Sequence, residues 1–165
     1  MATTFFARHA STLDIDRESY NYLLENDLVG IHFPWDASGD DSKDSRSINP
    51  ADYSTTSAIK SLNALISLAK NGGYVCAVYA KSRGCKIGFV DPDTSINLTE
   101  LRWGNKNGLA GRVAVLKTLK LTKVQNLTAT ESLNLLVARP RQGTFCRWPS
   151  VKSRVENLVE LKESA

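Results

Sequence analysis

The stretch Arg139-Pro140-Arg141-Gln142-Gly143-Thr144-Phe145-Cys146-Arg147-Trp148 gathers three arginines, a glutamine and two aromatic rings into one short run. Guanidinium groups grip phosphate oxygens through two parallel hydrogen bonds, and a glutamine amide can read the edge of a base. Phe145 and Trp148 fit the core of a strand better than a surface, so Arg139, Arg141, Gln142 and Arg147 carry the chemical interest. A second loop, Leu101-Arg102-Trp103-Gly104-Asn105-Lys106, alternates aromatic and cation and adds Arg102 and Trp103 to the candidates. Between Arg102 and Arg154 eleven basic residues face a single acid, Glu131. One-sided charge of this kind is the footprint of a polyanion partner. Lys117, Lys120, Lys123, Arg139, Arg141 and Arg147 are therefore expected to contribute to one contiguous positive surface. A solvated basic face that serves solubility is the competing reading.

Other chemistries fit poorly. Cys76, Cys85 and Cys146 are odd in number and form no Cys-x-x-Cys pair, and the histidines, His9 and His32, stand far apart. A structural zinc needs four ligands at a defined spacing, so no metal is expected and all three cysteines should be reduced. Neither histidine has a nucleophile motif beside it, and there is no phosphate-binding or dinucleotide glycine loop, so no catalytic residue and no cofactor are expected. Pro92-Asp93 followed by Glu100-Leu101-Arg102 imitates the PD…(D/E)xK pattern of metal-dependent nucleases. The spacing is short and Arg102 stands where the lysine belongs, so a turn is the better reading of Pro92-Asp93.

The elements that must position these groups follow from length and periodicity. At 165 residues the chain fits one domain, residues 1–165, large enough to bury a core without disulfides or metal. No apolar run is long enough to cross a bilayer, and Met1–Ala10 lacks the apolar segment of a signal peptide, so the expectation is a cytoplasmic protein with no membrane partner. Charge is lopsided: residues 1–56 hold four Lys/Arg against ten Asp/Glu, and the remainder seventeen against seven. Thr3–His9 reads as a strand. Tyr20, Leu23 and Leu24 form a helical stripe that Asn26-Asp27 breaks, and Leu28–Phe33 is a second strand. A polar loop occupies 34–56, and a loop this long inside a small domain is functional or disordered.

Ser57 is a candidate cap for a helix whose Ala58, Ile59, Leu62, Leu65, Ile66 and Ala69 share a face and which ends at Gly72-Gly73. Tyr74–Ala80 and Lys86–Val90 should form a hairpin. Trp103–Gly111 reads as a polar loop and Arg112–Gln125 as one long strand. Thr128-x-x-Glu131 is a capping box before a short helix. A strand over Gly143–Trp148 precedes a last helix buried through Val151, Val155, Leu158 and Val159. Strands too often follow one another for pure βαβ units, so the fold class is α+β, with a curved or barrelled sheet flanked by helices.

Three short signatures in this order resemble a known group. Val29-Gly30-Ile31-His32-Phe33 after an N-terminal helix looks like the second strand of the EVE and ASCH branches of the PUA-like superfamily. Gly72-Gly73-Tyr74-Val75-Cys76-Ala77-Val78-Tyr79 resembles their glycine-then-strand step, and Lys86-Ile87-Gly88-Phe89-Val90 resembles the return strand, where a glycine permits close approach. The resemblance implies a small open β-barrel flanked by helices that binds DNA or RNA. Several members read a modified or flipped base in an aromatic pocket, some as modules of modification-dependent restriction systems, so a separate nuclease or restriction subunit becomes a further partner. Such a base must be stacked on rings and hydrogen-bonded at its edge. Phe33, Trp35 and Asp36, where the second strand enters the polar loop, are the candidate walls and acceptor, with Trp103 approaching from its own loop. Trp35 as a lid over the core is the competing reading. The functional expectation is a nucleic-acid-binding domain without chemistry of its own. Its alternatives are a small regulatory protein that binds an acidic protein partner and, third, a metal-dependent nuclease.

Overall fold

The computed structural model describes residues 3–9, 15–32, 46–53, 55–79, 85–104, 110–136, 145–149 and 152–163. The parallel pairing of the first strand with a strand seventy residues later sets the architecture. β1 (Thr3–His9) runs beside β3 (Gly73–Tyr79) from Thr3↔Gly73 to His9↔Tyr79. The crossover between them contains α1 (Arg17–Glu25), β2 (Leu28–Ile31), a 3-10 turn at Pro50–Asp52 and α2 (Thr56–Asn71). β3 and β4 (Cys85–Val90) form the expected antiparallel pair. β7 (Thr122–Asn126) and β8 (Phe145–Arg147) complete a five-stranded sheet in the order β7-β4-β3-β1-β8. A separate three-stranded sheet has β6 (Val113–Lys120) between β2 and β5 (Asn97–Arg102). The fold is thus mixed α+β with two sheets, as expected, and the described strands form no closed barrel.

Alternation along β1 and β3 divides the core into two layers. Phe5, Ala7, Val75, Ala77 and Tyr79 pack with Leu62, Leu65 and Leu68 of α2 and with Val29, Ile31, Leu116 and Leu119 of the smaller sheet. Phe6 and Cys76 face the other way, onto Leu135 of α3 (Ala129–Leu136), Trp148, and Val155 and Val159 of α4 (Lys152–Glu163). Phe145 stacks on Phe5 and Trp148 meets Phe6 edge-on, so both rings of the arginine-rich stretch serve the core.

The helix boundaries follow capping chemistry. Asp16 Oδ1 accepts the Ser19 N–H at 2.8 Å and starts α1. α2 begins at Thr55, whose hydroxyl accepts the Ala58 N–H, so the cap lies two residues before the expected Ser57. It ends at Gly72, where φ is 75° and a Cβ would lie 2.7 Å from the Val90 carbonyl oxygen. Before α3, Thr128 and Glu131 exchange both hydrogen bonds of the capping box, at 2.9 and 3.1 Å.

Two expectations fail for identifiable reasons. The long strand expected over Arg112–Gln125 is two strands in different sheets, broken at Leu121. Its N–H leaves the ladder for the Asp27 carbonyl at 2.8 Å, and its side chain fills the space over Gly88, where a Cβ would lie 2.7 Å from Leu121 Cβ. β5 escaped notice because only Leu101 of its six residues is buried, which leaves no apolar alternation to read. Within the long polar segment at 34–56, Tyr53 of the described residues 46–53 anchors to the core. Tyr53 is buried and its hydroxyl donates to the Ser47 carbonyl at 2.7 Å.

His9 joins the two sheets. Its Nδ1–H donates to the Val78 carbonyl at 3.0 Å, and its Nε2 accepts the Gly30 N–H of β2 at 3.1 Å. The ring stacks on Tyr79 with centroids 4.6 Å apart, and the Tyr79 hydroxyl donates to the Leu28 carbonyl at 2.8 Å. Burial lowers the His9 pKa to about 4, against a smaller opposing effect of the Val78 carbonyl, so the imidazole is neutral at physiological pH.

Candidate nucleic-acid interface

Strand order decides which cations reach the surface. Lys117 lies in the middle strand of the three-stranded sheet, paired with Ile31 on one side and Leu98 on the other. It is fully buried, and its ammonium sits 5.3 Å from the centre of the Tyr53 ring. The expectation that Lys117 contacts a polyanion at the surface is thereby corrected. Lys120, at the exposed end of β6, donates to the Asn26 carbonyl. Lys123 is exposed on β7 with its ammonium over the Phe89 ring, and its backbone takes a left-handed φ of 51°. Arg147 is exposed on β8, and its Nη2 donates to Ser67 Oγ at 3.0 Å. β7 and β8 are opposite edges of the five-stranded sheet, four strand spacings or about 19 Å apart. The contiguous six-residue patch expected from the sequence does not form among its described members. Arg139, Arg141 and Gln142 lie outside the described residues, as do Phe33, Trp35 and Asp36.

Trp103 is a second correction. Instead of standing in an open loop it is buried, bridged to Ile15 and edge-on to His32 with centroids 5.0 Å apart. Its neighbour Arg102 is exposed, with a backbone gripped by α1. The Arg102 N–H donates to Ser19 Oγ at 2.9 Å, and its carbonyl accepts the Asp16 N–H at 2.8 Å. The Trp103 N–H donates to the Arg112 carbonyl at 2.9 Å, which brings the exposed Arg112 to the same end of the sheet. β2 runs antiparallel to β6, from Leu28 opposite Lys120 to Ile31 opposite Lys117, and the His32 Nδ1–H then donates to the Val115 carbonyl at 3.0 Å. It therefore leaves the described structure heading for the end that carries Arg102, Trp103 and Arg112.

A groove beside β8 is absent from the sequence expectations. Lys60, Asn63 and Ser67 lie on successive turns of α2, and beside them Arg147 and Phe145 of β8 complete an open groove of about 360 Å³. Lys60, Asn63, Ala64, Phe145, Cys146 and Arg147 line it, and none is acidic. α2 itself carries Lys60 and Lys70 and no Asp or Glu, a signal readable from the sequence had the polar face of that helix been weighed with its apolar one.

The remaining reactive groups are accounted for by packing. Cys76, Cys85 and Cys146 are free thiols. Cys76 and Cys85 touch at 3.3 Å across β3 and β4, and that hydrogen bond, with burial, holds the Cys76 thiol well above its usual pKa. Asp93, of the nuclease-like pattern, sits in the turn after β4 with φ 59°, and Glu100 pairs with Arg46. Among the described residues no group of three His, Cys, Asp or Glu side chains could hold a metal, and no helix is long and apolar enough to cross a membrane.

Neither a protein-family model nor a curated protein matches the sequence. Among solved structures the crystal structure of the MmI1 YTH domain is similar, over 99% of this chain and 98% of that one, at 16% identity and a TM-score of 0.41.

Proposed function

We propose that the chain is a single nucleic-acid-binding domain of the PUA-like kind, which holds a modified or flipped base at the Arg102–Arg112 end of the three-stranded sheet and performs no chemistry itself. The observation that carries this reading is the direction of β2. It delivers the chain at His32 toward the exposed guanidinium groups of Arg102 and Arg112, and the next residues are Phe33, Pro34, Trp35 and Asp36. Two rings and a carboxylate in the sequence that follows His32, together with the two cations toward which β2 runs, are the groups an extruded base requires: stacking faces, an acceptor for its exocyclic amine, and charge for its phosphates. Trp103 takes a supporting part in this scheme, bracing His32 from inside rather than stacking on the base. Lys120, Lys123, Arg139, Arg141, Gln142 and Arg147 remain proposed contacts of lesser specificity.

Titration of modified and unmodified DNA and RNA oligonucleotides against wild type, Trp35→Ala and Arg102→Gln tests the reading. Loss of one stacking ring should cost about 1–3 kcal/mol and erase the preference for one base, whereas Arg102→Gln should weaken all sequences alike. Equal affinity and selectivity in Trp35→Ala and wild type would remove the base site.

A further inference from the structure

The groove between α2 and β8 is built for an anion with a flat, polar-edged companion. Its walls present Lys60 from the helix and Arg147 from the strand, and its floor is Ala64, Cys146 and the buried Phe145. Arg147 is held in place by its hydrogen bond to Ser67, so less side-chain freedom is lost when it meets a ligand. Against this positive charge the groove has no acidic side chain of its own.

From this geometry we infer that the α2–β8 groove is a second nucleic-acid site, which takes the sugar–phosphate backbone of a single strand, one nucleotide at a time, between Lys60 and Arg147. The inference rests on the proposed nucleic-acid binding and adds a site remote in sequence from the base-reading end. The size decides the scale: about 360 Å³ falls at the small end of ligand sites, room for one nucleotide unit. A duplex is far wider than a groove of this volume and does not enter it. Asn63 lines the groove beside the two cations. Its amide offers both donor and acceptor, which the sugar hydroxyls and base edges of a nucleotide can use; a peptide backbone can use them too, so the poly-glutamate arm of the test separates the two. Positively charged grooves that track a backbone are the common device of single-strand binding.

The experiment compares wild type, the double variant K60Q/R147Q, and the control K70Q/R154Q, which removes the same charge from two exposed residues outside the groove. Labelled oligo(dT) and oligo(U) are titrated over a range of salt concentrations, and melting temperatures confirm that all three fold. Each phosphate contact in a single strand contributes about 0.7 to the salt slope. K60Q/R147Q should therefore flatten the slope by about 1.4 and weaken binding about 25-fold near 0.1 M salt, with base selectivity kept. If K60Q/R147Q matches the control in slope and affinity, the groove is not a binding site, although the base-reading proposal survives. If wild type binds neither oligonucleotide, that proposal falls and takes the groove with it. Equal wild-type affinity for poly-glutamate and for oligo(dT), both lost in K60Q/R147Q, would overturn the nucleotide assignment in favour of an acidic chain.

Discussion

Lys117 and Arg147 come from the same acid-poor half of the chain, yet the fold hides one and displays the other. Lys117 occupies the centre of a three-stranded sheet with an aromatic ring over its ammonium, while Arg147 lies on the edge strand of a five-stranded sheet beside a helix without acids. The count of charges along the sequence treats the two alike. Strand order separates them: a middle strand with both faces covered buries whatever it carries, and an edge strand beside a polar helix face leaves its guanidinium in water. A basic sequence therefore specifies how much positive charge a protein has, and topology specifies how much of it a partner can touch.

The largest effect expected from this contrast is at Lys117. Lys117→Glu places an uncompensated carboxylate in the core and should destabilise the protein by about 3–5 kcal/mol in chemical denaturation. Near-native stability combined with weakened oligonucleotide binding would return Lys117 to the surface and break the comparison. His9, at the seam between the two sheets, comes next. Its folded pKa of about 4 lies below the ordinary 6.5, so its contribution is fully present above pH 6.5 and is lost as pH falls toward 4. The loss should total about 3 kcal/mol, and His9→Gln should remove that part of the pH dependence. A stability curve that is flat from pH 7 to 4 would show that His9 is not the buried pin described. The smallest effect is at Arg147. Arg147→Gln should change stability by no more than about 0.5 kcal/mol, since the side chain is exposed. A larger loss would mean that its bond to Ser67 holds β8 on α2, and the residue would join Lys117 as a structural cation.

Much of the fold was legible wherever burial imposed a period. β1, the β3–β4 hairpin, α2 and the Thr128–Glu131 capping box all announce themselves through alternation, a helical stripe or a reciprocal cap. β5 and the bend at Leu121 do not, because an exposed edge strand has no apolar period and a switch between sheets interrupts none. The site was legible only in composition. Arg102 is exposed. Trp103 is not, since its pairing with Ile15 and His32 is tertiary and leaves no mark on a local sequence of glycines and polar residues. Lys60 and Asn63 were passed over because the apolar face of α2 gives the stronger signal, and the acid-free polar face becomes meaningful only once β8 sets Arg147 beside it.

The salt dependence of single-stranded oligonucleotide binding by the wild-type protein tests the central claim most directly. The account predicts that log K falls linearly with log salt, with a slope of about −0.7 for each phosphate contacted and at least two contacts in the α2–β8 groove. A slope near zero, or no binding even at low salt, would contradict it.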